Sequence, residues 1–229
     1  MNIAEGFILS SIKYGETSLV FNVFTKEFGI KSFIKKGFFN GKKQKNHQFF
    51  PLQKVEISFR RNDKELQLIH SIQSYHFTLS NDIYKANILL FLSEILTICL
   101  QKETENISLY RFIENSISEL EHSTSYTLFP VNFLLELSSL LGFYPSKNSY
   151  FAGGYFSLSQ GIFVEEKSKE TLSDNLSLSL FKYLNNEETV MSKTNRTALL
   201  EGILAYYNYH IINFRYPKSL AILRDVFNT

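Results

Sequence analysis

The apolar residues of this chain change their spacing once, near Asn81, and this change limits the folds that are available to it. Before Asn81 apolar and polar side chains alternate, most clearly where Val55, Ile57 and Phe59 are separated by polar residues. After Asn81 apolar residues recur at helical spacing, as in "SLYRFIENSISELEH". A front half of strands and a rear half of helices predict the α+β class.

Five short runs of strand-forming residues precede Asn81, and turn-forming residues separate them. Gly15 lies between the first two runs, and Gly29 is suited to the positive φ of a hairpin turn. Five short strands in about eighty residues form a small closed or partly open barrel, and one long basic loop suits the oligonucleotide-binding (OB) fold. We therefore predict an OB-fold DNA-binding domain over residues 1–80, with a strand order that the sequence leaves open.

Residues 81–229 predict an all-helical domain with one small irregular insert. Asp82 is placed to cap a long apolar helix that runs to Leu100. The helical pattern is interrupted at about residues 146–170, where several glycines, Gly161 among them, indicate a hairpin or a loop.

Cysteine content and hydropathy limit the cellular compartments in which we expect the protein. Cys99 is the single cysteine, which excludes an internal disulfide and a four-cysteine zinc site and fits a reducing cytoplasm. The opening residues lack the basic segment of a secretory signal. The longest apolar run, Ala86 to Leu100, is shorter than the roughly 18 residues that a membrane span needs. We predict a cytoplasmic protein without membrane contact.

The charge of the chain is divided unevenly between its two halves. The net charge is +2, but residues 1–80 hold 12 Lys and Arg against 6 Asp and Glu, whereas residues 81–229 hold 12 against 16. A basic front domain predicts a polyanionic ligand. The alternative is a solubilising surface whose charge is merely uneven.

The segment from Ile34 to Gln53 combines five lysines with four phenylalanines. Lysines release counterions from phosphates, and aromatic rings stack on unpaired bases. Glycines around Phe38 and Phe39 favour exposure of these rings. For Phe49 and Phe50 two interpretations stay open: they stack on bases, or they close the end of the barrel. The candidate DNA-binding residues are Lys31, Lys35, Lys36, Phe38, Phe39, Lys42, Lys43, Lys45, Arg60 and Arg61.

No catalytic pattern accompanies this segment. The sequence contains no P-loop, no dinucleotide fingerprint and no nucleophile elbow. Asp63, Glu65 and Asp82 form no two-metal carboxylate pattern on one strand face, which disfavours a nuclease. We therefore predict that the protein is not an enzyme. A barrel that binds RNA or ribosomal components is the main alternative to one that binds DNA.

Three stretches in order along the chain resemble the RecO family of recombination mediators, which are bacterial DNA repair proteins. The helix "FLLELSSLLGFYP" and the closing segment "YYNYHIINFRYPKSLAILRDVF" are similar to family motifs. The opening motif is carried by Glu5-Gly6, Tyr14-Gly15-Glu16-Thr17-Ser18, Phe24-Thr25, Gly29 and Lys36-Gly37.

The resemblance implies an OB-fold barrel followed by a helical domain, with no enzymatic activity and a cytoplasmic, nucleoid-associated location. It implies binding of single- and double-stranded DNA, annealing of complementary strands and, with RecR, loading of RecA. The DNA would be coated by single-stranded-DNA-binding protein, whose C-terminal tail is a further expected partner. Many relatives carry a zinc ribbon, but here residues 146–170 contain no cysteine, so we expect a degenerate insert and no zinc or other cofactor. We expect the insert to be held by packing of Tyr150, Phe151, Tyr155, Phe156, Ile162 and Phe163.

Overall fold

The computed structural model describes residues 1–40, 49–60, 64–101, 104–187 and 191–227. A five-stranded barrel at the front of the chain is followed by helices, so the predicted α+β class is confirmed. The described strands are β1 (Asn2–Tyr14), β2 (Ser18–Thr25), β3 (Gly29–Lys35), β4 (Lys54–Arg60), β5 (Leu66–Ser74), β6 (Tyr155–Phe156) and β7 (Phe163–Val164). The described helices are α1 (Ile83–Cys99), α2 (Ile107–His122), α3 (Phe129–Leu140), α4 (Asp174–Leu184), α5 (Lys193–His210) and α6 (Leu220–Phe227).

Strands β1 to β5 form a closed barrel in the order β1-β2-β3-β5-β4. The β3–β5 pair is parallel, and the other pairs are antiparallel. Strand β1 serves two neighbours, because its first half pairs with β4 and its second half pairs with β2. A bulge at Leu9, between Ile8 and Ser10, lies near the point where β1 changes its pairing partner from β4 to β2. Bulges are common where a barrel strand bends. This closed five-stranded arrangement confirms the predicted OB fold.

Large aromatic rings fill the interior of the barrel. Phe33 and Phe59 meet edge to face with ring centroids 5.1 Å apart, and Phe21 meets Phe49 in the same way at 4.9 Å. All four side chains are buried. Edge-to-face pairs contribute about 0.5 to 1.5 kcal/mol beyond the burial of area. The apolar residues that alternate along the strands therefore form the inner face of the barrel.

Gly6 allows two neighbouring strands to approach β1 closely. It pairs with Thr25 of β2 and with Val55 of β4. A Cβ atom at this position would lie 2.5 Å from the backbone oxygen of Phe24, which is closer than real Cβ contacts. Any side chain here would push β2 away from β1, so the close approach requires glycine.

Helix α2 covers part of the outer face of the barrel. The Tyr110 ring lies 5.1 Å from that of Phe7 and 6.4 Å from that of Phe24, measured between centroids. The Tyr110 hydroxyl donates a hydrogen bond of 2.9 Å to Oε1 of Glu5. The aromatic contact buries apolar surface, and the hydrogen bond fixes the orientation of the ring.

Lys54 and Glu5 form the centre of a polar network between the barrel and α2. Lys54 Nζ lies 3.0 Å from Glu5 Oε1 and 2.7 Å from Glu114 Oε1. Partial burial by itself raises the pKa of Glu5, but the hydrogen bonds from Lys54 and Tyr110 outweigh it and hold that pKa below its ordinary value. Burial likewise lowers the pKa of Lys54, and its bonds to the two carboxylates raise it overall. Both charged forms are therefore stabilised by folding.

The chain divides into two compact units. One comprises residues 1–123 with 217–219, and the other comprises residues 124–216 with 220–229. In the first unit Asp82 caps α1 as expected, since its carboxylate accepts hydrogen bonds from the backbone N–H groups of Tyr84 (2.9 Å) and Lys85 (3.2 Å). None of the helices among the described residues combines the length and the hydropathy that crossing a bilayer requires.

An aromatic cluster organises the irregular insert of the second unit. The rings of Tyr150 and Phe181 are stacked with centroids 3.5 Å apart, and Phe163 meets Tyr150 edge to face at 5.1 Å. Phe156 lies 5.3 Å from the ring of Tyr206. The insert is thus attached to α4 and α5 by ring contacts.

The residues of the insert do not fit a structural zinc site. Residues 146–170 contain neither cysteine nor histidine, and structural zinc needs about four such ligands. Of the side chains that we expected to hold the insert, Phe156 and Phe163 are buried, whereas Phe151 is 39% exposed. The predicted packing role of Phe151 is therefore wrong, because its ring lies over Gly154 at the surface rather than in the cluster.

We predict that the Phe163→Ala variant of the intact chain loses about 3 kcal/mol of unfolding free energy, because it leaves a cavity among buried rings. Phe151→Ala is the matched control, and its exposed ring predicts a loss below about 1 kcal/mol. Urea unfolding measures both values, and chelation with EDTA is expected to leave the wild-type midpoint unchanged. A stoichiometric zinc ion, or equal losses in the two variants, would contradict an insert held by rings.

We predict that Glu5→Gln destabilises the chain by about 1 to 2 kcal/mol near neutral pH, because it removes the charged partner of Lys54. Since folding lowers the pKa of Glu5, this contribution is fully present above its ordinary pKa of 4.5 and is lost as the pH falls through the lowered folded value. Urea unfolding of both proteins across the acid range measures the difference. Glu119→Gln, at an exposed position of α2, is the control, and a difference that persists in acid would contradict this account.

Candidate nucleic-acid interface

Two predicted lysines lie together at the end of β3. Lys35 is the last residue of that strand, and its Nζ donates a hydrogen bond to the backbone oxygen of His70 on β5. Lys36 follows and is exposed. Lys31 is also exposed but lies four residues earlier, about 13 Å away along an extended strand. The structure therefore groups Lys35 with Lys36 and leaves Lys31 apart.

Arg60 lies across β5 from the end of β3. It is the last residue of β4 and is paired with Leu68 of β5, which is in turn paired with Ile34 of β3. Because β5 lies between β3 and β4, Arg60 and Lys35 flank it from opposite sides. Lys35 and Lys36 at the end of β3, and Arg60, which is distant from them in sequence, thus lie on opposite sides of β5.

Four predicted residues lie outside the described part of the chain. They are Lys42, Lys43, Lys45 and Arg61. These residues are close in sequence to the described cations. Residue 41 follows Lys36 by five positions, and residue 61 directly follows Arg60. Their role in binding stays a prediction.

The predicted exposure of Phe38 is wrong. Its side chain is 3% exposed, and its ring lies 5.0 Å from that of Phe39 and 5.9 Å from that of Phe49. The reason is a turn that folds the chain back, in which the Phe39 N–H donates to the Thr17 backbone oxygen at 3.0 Å. Phe38 and Phe49 thus close the end of the barrel, which confirms one of the two interpretations of Phe49.

Phe39 has an intermediate position. It is partly buried against the barrel core, and Lys13 Nζ lies 5.5 Å from the centroid of its ring. A cation over an aromatic face is attracted by the ring quadrupole. That face is therefore already shared with a lysine, which adds Lys13 to the cations near the closed end of the barrel.

A groove that the sequence analysis missed lies beside these cations. It has a volume of about 490 Å³ and is lined by Met1, Arg60, Leu68, Ile69 and His70. Leu68 is 46% exposed even though its neighbours in sequence, Gln67 and Ile69, are buried. Period-two alternation along β5 could have predicted this, because inward Ile69 requires outward Leu68 and His70.

The described residues show no arrangement for metal or thiol chemistry. No group of three or more His, Cys, Asp or Glu side chains that could hold a metal occurs among them. Burial raises the pKa of the Cys99 thiol to about 12, which keeps it protonated and unreactive.

Comparison with known proteins agrees with these features. Residues 1–77 match the family model described as Recombination protein O N terminal, and residues 80–220 match Recombination protein O C terminal. Proteins named DNA repair protein RecO from Flavobacterium johnsoniae and Azobacteroides pseudotrichonymphae are 32% and 33% identical to this chain. Each alignment covers 98% of both chains. The resemblance seen in the sequence motifs is confirmed, and the chain belongs to the RecO family.

Proposed function

We propose that this chain is a DNA-binding recombination mediator that uses its barrel to hold single and double strands. Membership of the RecO family gives it a role in DNA repair and recombination. The observation that supports DNA as the ligand is the set of Lys35, Lys36 and Arg60, which lies on both sides of β5 in an OB barrel.

Electrostatics gives this surface its affinity for both forms of DNA. A phosphate that pairs with a lysine or an arginine releases a condensed counterion, so binding is favoured at low salt and depends little on sequence. We also propose a part in DNA binding for Lys42, Lys43 and Lys45, which follow Lys35 and Lys36 in the sequence, because each adds a positive charge. A duplex and a single strand both present phosphates to such a surface.

The same surface supports annealing of complementary strands. Two strands repel each other through their phosphates, and a basic protein surface that holds both lowers this repulsion. Annealing is downhill in free energy once the strands meet, so it needs no catalytic group and no nucleotide hydrolysis. We therefore propose a mediator that is not an enzyme and carries no zinc.

Partners extend this proposal beyond DNA. We propose that the protein acts in the cytoplasm at the nucleoid, together with RecR, on DNA coated by single-stranded-DNA-binding protein. Contact with the C-terminal tail of that coating protein would bring the mediator to its substrate, and release of the strand would allow RecA to load. The resemblance of the whole chain to the family supports these partners.

Replacing Lys35 and Lys36 together by alanine is expected to weaken binding to single- and double-stranded DNA alike. Each phosphate contact that is lost reduces the slope of log affinity against log salt by roughly 0.7 to 0.9. Fluorescence anisotropy at several salt concentrations measures affinity and slope, and the Lys42, Lys43 and Lys45 triple alanine variant is expected to behave in the same way.

The matched control for that experiment removes two exposed lysines from the insert, Lys167 and Lys169. It lowers the net charge of the chain by the same amount but leaves the barrel intact. Circular dichroism confirms that the variants are folded. If the barrel variants and the insert variant have equal affinity and slope, the basic barrel end is a solubilising surface and the proposed site is wrong.

The wild-type protein is expected to accelerate annealing of complementary oligonucleotides without ATP. Fluorescence quenching between labelled strands gives the rate, and the Lys35 and Lys36 double variant should be slower. With coated strands, removal of the tail from the coating protein should abolish the acceleration. If the protein does not accelerate annealing of bare strands, the mediator proposal is wrong. If removal of the tail leaves the rate with coated strands unchanged, only the proposed contact with the coating protein is wrong.

A further inference from the structure

The groove between the ends of β4 and β5 has a composition that simple phosphate binding does not need. Arg60 and His70 supply planar, hydrogen-bonding groups, and Met1, Leu68 and Ile69 supply apolar surface. Its volume of about 490 Å³ falls within the range of pockets that take small organic ligands. None of the described residues that line it is acidic.

We propose that this groove binds an unpaired nucleobase, so that the protein holds single strands by a contact that duplex DNA does not make. The proposal rests on the proposed function, because it assigns a further subsite to the same DNA-binding barrel. Unpaired bases stack on histidine rings and on arginine guanidinium planes. Arg60 and His70 provide both kinds of plane, and Leu68 provides the apolar contact between them.

The position of the groove places it beside the phosphate-binding cations. Lys35 donates to the backbone oxygen of His70, so the end of β3 lies directly against the edge of the groove. A strand whose phosphates follow Lys35 and Lys36 would therefore pass the groove, and a base turned towards the barrel would enter it. Charge complementarity thus favours nucleic acid as the occupant.

Base pairing controls access to the groove. In a duplex the bases are stacked and paired inside the helix, and turning one out costs a few kcal/mol. The exposed part of Leu68 would then meet only sugar and phosphate. The groove therefore adds affinity for single strands alone, whereas the lysines add affinity for both forms.

The backbone of His70 is irregular. It lies at a shift in the pairing of β4 with β5, where Ser58 is paired with Ser71 and Phe59 with Ile69. The extra residue is His70, and bulges of this kind redirect a side chain near functional sites. The bulge and the hydrogen bond from Lys35 together fix this residue at the mouth of the groove.

The test compares binding of the full chain to a fluorescein-labelled oligothymidylate and to a duplex of the same length. Leu68→Ser and His70→Ala should each weaken single-strand binding about fivefold or more, the effect of losing part of one base contact. Duplex affinity and the salt slope should stay unchanged, because no phosphate contact is lost. Ile83→Ser, which removes another exposed apolar side chain outside the groove, is the control.

Two variants of Arg60 distinguish the contribution of stacking from that of charge. Arg60→Lys keeps the cation but loses the guanidinium plane, so it should weaken single-strand binding more than duplex binding. Arg60→Ala should weaken both. The inference is overturned if the Leu68 and His70 variants bind both DNA forms as the wild type does, or if they lose affinity for both forms equally. A wild-type protein that binds neither form would instead contradict the proposed function.

Discussion

The parallel pairing of β3 with β5 is the constraint on which the rest of the front unit depends. Because β5 lies between β3 and β4, the chain cannot join these two strands by a tight hairpin. The two described parts of the connection supply Phe38 and Phe49, which belong to the buried core of the barrel. The same pairing brings Lys35 against His70. The strand order thus underlies the contact between Lys35 and β5 that the proposed interface uses.

A polar network joins the barrel to α2, whereas ring contacts hold the insert. Where α2 covers the barrel, Lys54 is shared between two carboxylates, and the tyrosine that donates to one of them also packs on Phe7. Partial burial makes such a network depend on every member being paired. The insert is held by stacked and edge-to-face rings that contact α4 and α5. Rings therefore position, in this chain, an insert that contains neither cysteine nor histidine.

Phosphate contacts and base contacts have separate places in the proposed interface. In this proposal, the lysines at the end of β3 would attract any DNA, and this part of the affinity would fall as salt rises. The groove between β4 and β5 would discriminate by shape and stacking, which salt affects little. A mediator benefits from both, since annealing requires that strands be captured before they are paired and released once they are. Loss of the base contact on pairing provides a physical reason for that release.

The sequence by itself determined the class of the fold, the five strands, the helices and the family, because these follow from local periodicity and from motifs such as Glu5-Gly6. It also indicated which segment is basic. The burial of Phe38 and the outward position of Leu68 depended on the tertiary structure. Exposure is set by what a folded chain brings over a side chain, and the turn that buries Phe38 uses a hydrogen bond to Thr17, 22 residues earlier. The grouping of Arg60 with Lys35 likewise required the order of the strands, which periodicity does not encode.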